Sequence, residues 1–494
     1  MKIRFREIFP RFTEELKRLR HLERLAEVRP PIPSRRVQLF ILAILLDVIL
    51  VSLLFEHSEL QRQAIFMTGI FVLAALLWVT ESLPLFATAI LIIGLEIILL
   101  ANPGNWAGLG FEGGFSPDYR EFLAPLSDPV IVLFFGGFIL AHAVLKEGVD
   151  KAMASGILKA FGSKPFYVML GLMLITALFS MWMSNTATTA MMITLVYPML
   201  EQIPKGDPLR KGLLLAIPFA ANIGGMGTPI ASPPNAVAVS FLQQAGYEIN
   251  FLEWVLIAAP LMAFLLVFAW LLLYNFFKPI DPSLELKPTP RKIDGRGWYV
   301  IIVMLITVLL WLSDQWHGLS TAVVALFPAI AFTATGLLGR SDVNSLEWHI
   351  LILIMGGIAL GVGMQLTGLD EVFVSYIPGE GSVVLAAMVI ATILFSTFIS
   401  NTAAANLLLP IGISFALQNT EIGMPGPVQL AVSIALSASL AMALPISTPP
   451  NTIAYSKGDL VTGDFTKSGI IIGGLAAMLI IALGNTIISF WTTY

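Results

Sequence analysis

The 494-residue chain has no cysteine, only 12% charged residues, and five histidines scattered along its length. Without cysteine there is no disulfide framework, thiol nucleophile or thiolate-bound metal. A soluble domain carries roughly 25% Asp, Glu, Lys and Arg. Half that density excludes a soluble globular protein, a disordered chain and a nucleic-acid binder. His-Glu-x-x-His, Gly-x-Ser-x-Gly and Walker A sequences are also missing, which argues against an intramembrane enzyme and a nucleotide-driven pump. What the chain does contain is apolar: 57% hydrophobic residues and a mean hydropathy of +0.84.

The apolar residues fall in runs at 37–55, 63–80, 85–101, 129–145, 251–277, 299–312, 319–338, 350–366 and 470–491. Several reach the roughly 18 residues expected of a membrane span. No period-two alternation marks them as barrel strands, so they read as helices of an all-α polytopic membrane protein. Residues 1–36 instead interleave Lys and Arg with apolar positions and contain Pro30-Pro31-Ile32-Pro33. With no apolar core near the start, they read as a basic amphipathic segment on the cytoplasmic membrane surface, not as a secretory signal.

With this N-terminus inside and the C-terminus outside, only Arg62 and Arg120 of the 28 Lys and Arg fall in external loops, as retention of positive charge on the cytoplasmic side predicts. That count requires two segments to enter the membrane and return to the same side: 166–200 from inside and 383–417 from outside. Each offers two helical arms of roughly 25 Å at 1.5 Å per residue. These are helical hairpins.

Each hairpin carries a polar triplet at its middle, Ser184-Asn185-Thr186 and Ser400-Asn401-Thr402, with Ser180 or Ser396 four residues earlier. In both, a proline break ends at an asparagine 51 residues after the triplet serine. The first break runs Gly227-Thr228-Pro229-Ile230-Ala231-Ser232-Pro233-Pro234-Asn235, the second Ala443-Leu444-Pro445-Ile446-Ser447-Thr448-Pro449-Pro450-Asn451. Upstream, Gly136-Gly137, Gly148 and Asp150 match Gly356-Gly357, Gly368 and Asp370 at equal spacing. The chain is thus a duplicated unit, 129–278 and 349–491, with broken helices at 212–242 and 428–456. Because it crosses outward to inward at Gly136 and inward to outward at Gly356, the repeats are inverted, as in secondary transporters with midplane sites. A Pro-Pro-Asn inside a span forces unwinding, and exposed backbone at that depth belongs beside a cavity.

One such triplet is ordinary packing polarity between membrane helices. Two triplets, each with a preceding hydroxyl and an equally spaced break, constitute a site. Neutral Asn, Ser and backbone oxygens suit a hard monovalent cation such as Na⁺. The half-helices starting at the same tips offer N–H groups and a positive dipole end to an anion.

These paired Ser-Asn-Thr hairpins and Pro-Pro-Asn breaks, together with Thr80-Glu81-Ser82-Leu83-Pro84, resemble the divalent anion/sodium symporter family of dicarboxylate, citrate and sulfate carriers. The resemblance covers nearly all of the chain after residue 37. It implies about eleven transmembrane helices plus two re-entrant hairpins in a plasma-membrane homodimer. Scaffold helices would lie at 37–128 and 279–348, the latter stretch including a cytoplasmic linker, and a transport domain would move like an elevator. It implies cotransport of about two or more Na⁺ with a small divalent anion, a C4-dicarboxylate such as succinate, malate or fumarate in first place. Sodium-independent exchange, or carriage of sulfate or another inorganic anion, stays open. One Na⁺ would meet Ser180, Ser184, Asn185 and a carbonyl near Ala231. A second would meet Ser396, Ser400, Asn401 and a carbonyl near Ser447. The anion would meet Asn185, Thr186, Asn401, Thr402, Pro233 and Pro449. Asp47, Glu96 and His142 are ionisable residues inside apolar runs and hence functional candidates, although none has a counterpart in the other repeat.

Overall fold

The computed structural model describes residues 35–484 apart from 107–110, 112–114, 282–291, 378–380 and 422–423. The basic segment expected over 1–36 therefore lies, except for Arg35 and Arg36, outside the described residues, as does the end of the last span. Among the described residues eight helices are long and apolar enough to cross a membrane, with four shorter apolar helices beside them. With Asn185–Leu200, Pro208–Gly224, Pro233–Gln244, Asn401–Gln418 and Pro449–Tyr455 added and the pieces grouped by hairpin and by broken helix, the described helices match the expected eleven spans and two hairpins. Helices dominate because a lipid-immersed chain must satisfy its backbone groups internally.

The first hairpin consists of Pro165–Ser180 and Asn185–Leu200, the second of Gly381–Phe398 and Asn401–Gln418. The first broken helix comprises Pro208–Gly224 and Pro233–Gln244, the second Pro427–Ser439 and Pro449–Tyr455. Proline begins most of these pieces, where its missing N–H costs nothing. The halves pack crosswise: Pro233–Gln244 against Pro427–Ser439, and Pro208–Gly224 against Pro449–Tyr455. The first arm of the first hairpin lies along Pro208–Gly224, and the second arm of the second hairpin along Pro427–Ser439. Hairpins and breaks therefore share one buried core.

Around this core, Pro129–Lys146 packs along Thr321–Ala334, and Trp348–Thr367 along Leu85–Leu95. The paired glycines explain both crossings. A Cβ on Gly136 would stand 2.1 Å from the Ala325 carbonyl oxygen, and one on Gly356 would stand 2.3 Å from Ala89 Cβ. Gly148 and Gly368 end these helices with φ of 66° and 71°, a left-handed cap that glycine adopts without strain. Each leads into a short helix with a buried aspartate, and Asp370 accepts the Ser414 hydroxyl at 2.8 Å. Helix Arg35–His57 buries only Ala43 and leaves much of its apolar surface uncovered by the chain.

Candidate functional site

Each hairpin tip is shaped by its serine. Ser184 and Ser400 N-cap the second arms, their hydroxyl oxygens accepting the Ala187 and Ala403 N–H groups at 3.3 and 3.1 Å. The cap places Asn185 and Asn401 in the first turn of a new helix, where N–H groups lack intrahelical partners. Each asparagine then joins an oxygen triad. Ser180 Oγ is 2.5 Å from Asn185 Oδ1 and 2.8 Å from the Ala221 carbonyl. Ser396 Oγ is 2.8 Å from Asn401 Oδ1 and 2.7 Å from the Ala438 carbonyl. The same three oxygen types thus converge in both repeats. Gly225 makes room for the first triad, since a Cβ there would meet Asn185 Nδ2 at 2.4 Å.

The breaks are held by their asparagines. Asn235 Nδ2 donates to the Gly225 and Thr228 carbonyls at 3.0 and 2.8 Å. Asn451 Nδ2 donates to Met442 and Leu444 at 3.1 and 2.9 Å. Both asparagines are fully buried and staple the unwound turn that proline creates. Removing two donors from buried carbonyls costs about 1–3 kcal/mol. Asn235→Ala and Asn451→Ala are therefore each expected to lower the melting temperature of the purified protein by several degrees. An unchanged melting curve would contradict the staple.

A hydroxyl also ties each break to its hairpin. Thr228 Oγ1 donates to the Met181 carbonyl at 2.5 Å, and Ser447 Oγ to the equivalent Thr397 carbonyl at 2.9 Å. The two repeats place this hydroxyl differently: position 444 is leucine where the first repeat has Thr228, and Ser447 supplies the hydroxyl instead. Asn222 joins the two broken helices, donating to Thr448 Oγ1 at 3.1 Å and Asn451 Oδ1 at 3.3 Å.

The structure brings Ser180 together with Asn185, and Ser396 with Asn401, as the motifs predict. The carbonyls that join them belong to Ala221 and Ala438, ahead of each break, where the sequence pointed to Ala231 and Ser447. Among the described residues the Ala231 and Ser447 carbonyls accept no hydrogen bond and so stay open as acceptors. Ser184 and Ser400 spend one lone pair on capping. Thr186 is half-buried and Thr402 buried, Pro233 is half-buried, and Pro449 is exposed. Of the isolated ionisable residues, Asp47 lies against Gly69 and Glu96 against Gly363. His142 instead belongs to an ion cluster, 3.3 Å from Asp342.

That cluster anchors a segment whose importance the sequence did not signal. Lys146 Nζ lies 2.6 Å from Asp342 and donates to the Leu337 carbonyl at 2.9 Å. Asp342 also accepts the Gly339 N–H at 2.7 Å. Five residues on, Glu347 reaches the first hairpin and accepts the Ser184 hydroxyl at 3.1 Å. Burial holds the Glu347 carboxyl above its ordinary value, outweighing the opposing Ser184 hydrogen bond and His349. The Lys146 hydrogen bond, then the Gly339 N–H, hold the Asp342 carboxyl down at about 2 against an ordinary 3.8. Its anchoring is therefore fully present above pH 3.8 and is lost only as pH falls through about 2. A spin label at the exposed Ser345 is expected to keep its mobility from pH 8 to pH 5 and to loosen in Asp342→Asn. Equal mobility in the two proteins would contradict the anchor.

The hairpin tips thus gather hydroxyl, amide and backbone oxygens at helix N-termini, with one carboxylate, Glu347, against the first tip. Comparison with known proteins gives the family. Residues 35–493 match the family model described as the sodium:sulfate symporter transmembrane region. The chain is 32% identical over 471 residues to an uncharacterized transporter of Haemophilus influenzae, covering 90% of this chain and 96% of that one. It is 28% identical to the sodium-dependent dicarboxylate transporter SdcS of Staphylococcus saprophyticus, covering 88% of each. It is 30% identical to the inorganic phosphate transporter PHO87 of Saccharomyces cerevisiae, covering 84% of this chain but only 46% of that one, so the chain spans about half the length of that relative. In fold it is similar to the crystal structure of the Alcanivorax borkumensis YdaH transporter, with a TM-score of 0.56 at 14% identity, over 82% of this chain and 98% of that one. The chain is a multi-pass membrane transporter and belongs to the sodium:sulfate symporter transmembrane family.

Proposed function

We propose that the protein imports a divalent anion, a C4-dicarboxylate in first place, coupled to at least two Na⁺ per cycle. The observation that carries this reading is the pair of equivalent Ser–Asn–carbonyl triads, one at each hairpin tip. Each gathers neutral oxygens that favour a monovalent cation, and neither places a lysine or arginine where an anion's charge would otherwise be balanced. Bound Na⁺ and the N-termini at Asn185 and Asn401 supply that balance, so anion affinity depends on Na⁺. Thr186 and Thr402 hydroxyls and the asparagine amides donate to the anion, and Pro233 and Pro449 shape its pocket. With more than two Na⁺ per dianion the cycle moves net charge, worth roughly 2.3 kcal/mol per charge per 100 mV.

In this reading the hairpins and broken helices travel as one body past a scaffold formed by the remaining helices, which also makes a homodimer. The sodium-dependent dicarboxylate relatives support the dicarboxylate, and the yeast phosphate transporters support phosphate as the second reading. Competition decides between them in proteoliposomes with Na⁺ outside. Excess unlabelled C4-dicarboxylate is expected to block labelled succinate uptake, and sulfate and phosphate to compete weakly. Uptake of phosphate with no uptake of succinate would move the assignment to phosphate.

The inverted arrangement has its own test. A cysteine replacing the exposed Lys278 should react only with cytoplasmic reagent, and one replacing the exposed Glu371 only with external reagent. The cysteine-free chain gives no background. Labelling of both from one side would remove the inversion.

A further inference from the structure

The two triads are equivalent, but their surroundings are not. Ser400 caps Ala403 and faces no carboxylate among its described hydrogen bonds. Ser184 caps Ala187 and in addition gives its hydroxyl hydrogen to Glu347 across 163 residues of sequence. This contact is built from several directions. Asp342 pins the preceding turn to Lys146 and His142. Trp348, next to Glu347, donates from Nε1 to the Val343 carbonyl at 3.0 Å, and its ring lies 5.8 Å from Phe135. A half-buried carboxylate is thus carried to one hairpin tip and held there.

We propose that Glu347 is a positioning residue that sets cation affinity at the first hairpin tip. By taking the Ser184 hydrogen it leaves that hydroxyl oxygen as an acceptor only, and a charge-assisted bond of this kind makes the oxygen more negative. The carboxylate also adds a negative charge beside a cradle of otherwise neutral oxygens. The first cation is therefore held more tightly than the second, and the two sites fill in order. Glu347 need not touch the ion, since it acts through Ser184 and through its field.

The proposal rests on the sodium-coupled reading, and its test separates the two. Na⁺ binding raises the melting temperature of a protein that binds it only when folded, so titrating Na⁺ against melting temperature gives a half-saturating concentration without any transport. In Glu347→Gln this concentration is expected to rise at least tenfold. The half-saturating Na⁺ for uptake should rise with it, while the KM for the anion at saturating Na⁺ stays unchanged or falls. Glu347→Asp keeps the charge and should remain within threefold of the unmodified protein, which also covers the case where the glutamine variant folds poorly. A half-saturating Na⁺ within twofold of the unmodified protein in Glu347→Gln would overturn the proposal, as would a tenfold loss in Glu347→Asp. A fall in maximal rate with unchanged Na⁺ dependence would mark Glu347 as a purely mechanical contact and overturn it too. If the unmodified protein responds to Na⁺ in neither assay, the sodium-coupled reading itself fails.

Discussion

Asn185→Asp and Asn401→Asp are each expected to abolish uptake while leaving folded protein. In both triads the asparagine oxygen accepts a serine hydroxyl, Ser180 at 2.5 Å and Ser396 at 2.8 Å, and a carboxylate oxygen accepts it equally well. The tip therefore keeps its shape and its affinity for a cation. What changes is the other face of the side chain, where an amide donor becomes a negative charge facing a dianion. Two unit charges 4 Å apart repel by about 4 kcal/mol at an effective dielectric of 20, roughly a thousandfold in affinity. Thr186→Ala and Thr402→Ala remove one donor each. At about 1–3 kcal/mol they should weaken apparent anion affinity and leave Na⁺ dependence intact. Uptake normalised to folded protein measures both, and near-normal uptake by Asn185→Asp would take the first tip out of the site.

A second large effect is expected at the helix crossings. Gly136→Ala would drive a methyl into the Ala325 backbone, and Gly356→Ala one into Ala89, at separations of 2.1 and 2.3 Å that no rotamer change relieves. Forcing backbones apart costs typically 1–3 kcal/mol and often more, so both variants should yield little monodisperse protein. Gly137→Ala is the control, because its nearest neighbour, Ile230, stands 3.6 Å away at a side-chain methyl. It should fold and transport normally. A third glycine separates folding from function. In Gly225→Ala the three nearest atoms all belong to the Asn185 side chain, so it should fold yet lose uptake by displacing that asparagine. Normal yields of Gly136→Ala and Gly356→Ala would show that these crossings are looser than described.

The equivalent hairpin-tip contacts were legible because the sequence carries the same chemistry twice at fixed spacing: hydroxyl, triplet, proline break, asparagine. The glycine pairs at matching positions were legible as repeat markers, but the close crossings they permit at Ala325 and Ala89 emerge only from the packing. The carbonyls of Ala221 and Ala438 were not legible, since a backbone oxygen leaves no mark in a side-chain pattern. Their offsets from Ser180 and Ser396 also differ by one residue, 41 against 42, so a search at equal spacing passes over them. Asn235 and Asn451 were visible as motif residues, but their work as staples depends on which carbonyls the unwound turn presents. Asn222 stands alone in an apolar helix, a polar residue whose matching position in the other repeat, 438, is alanine. Glu347 was hidden for a different reason. It sits in a polar loop at a helix start, where an acidic residue is ordinary, and only folding carries it to Ser184. His142 did stand out as an ionisable residue in an apolar run, yet its place is at the Asp342 anchor rather than among the hairpin tips.

The claim that two oxygen-rich tips make anion transport depend on Na⁺ is tested most directly by concentrative uptake into proteoliposomes. Purified protein with labelled succinate outside and an inward Na⁺ gradient should accumulate the anion above its external concentration. Uptake should rise with Na⁺ along a sigmoidal curve, as two or more ions require, and collapse when choline replaces Na⁺ at equal ionic strength. Equal accumulation in choline, or uptake that needs only a trapped anion on the opposite side, would contradict the account and identify the protein as an exchanger.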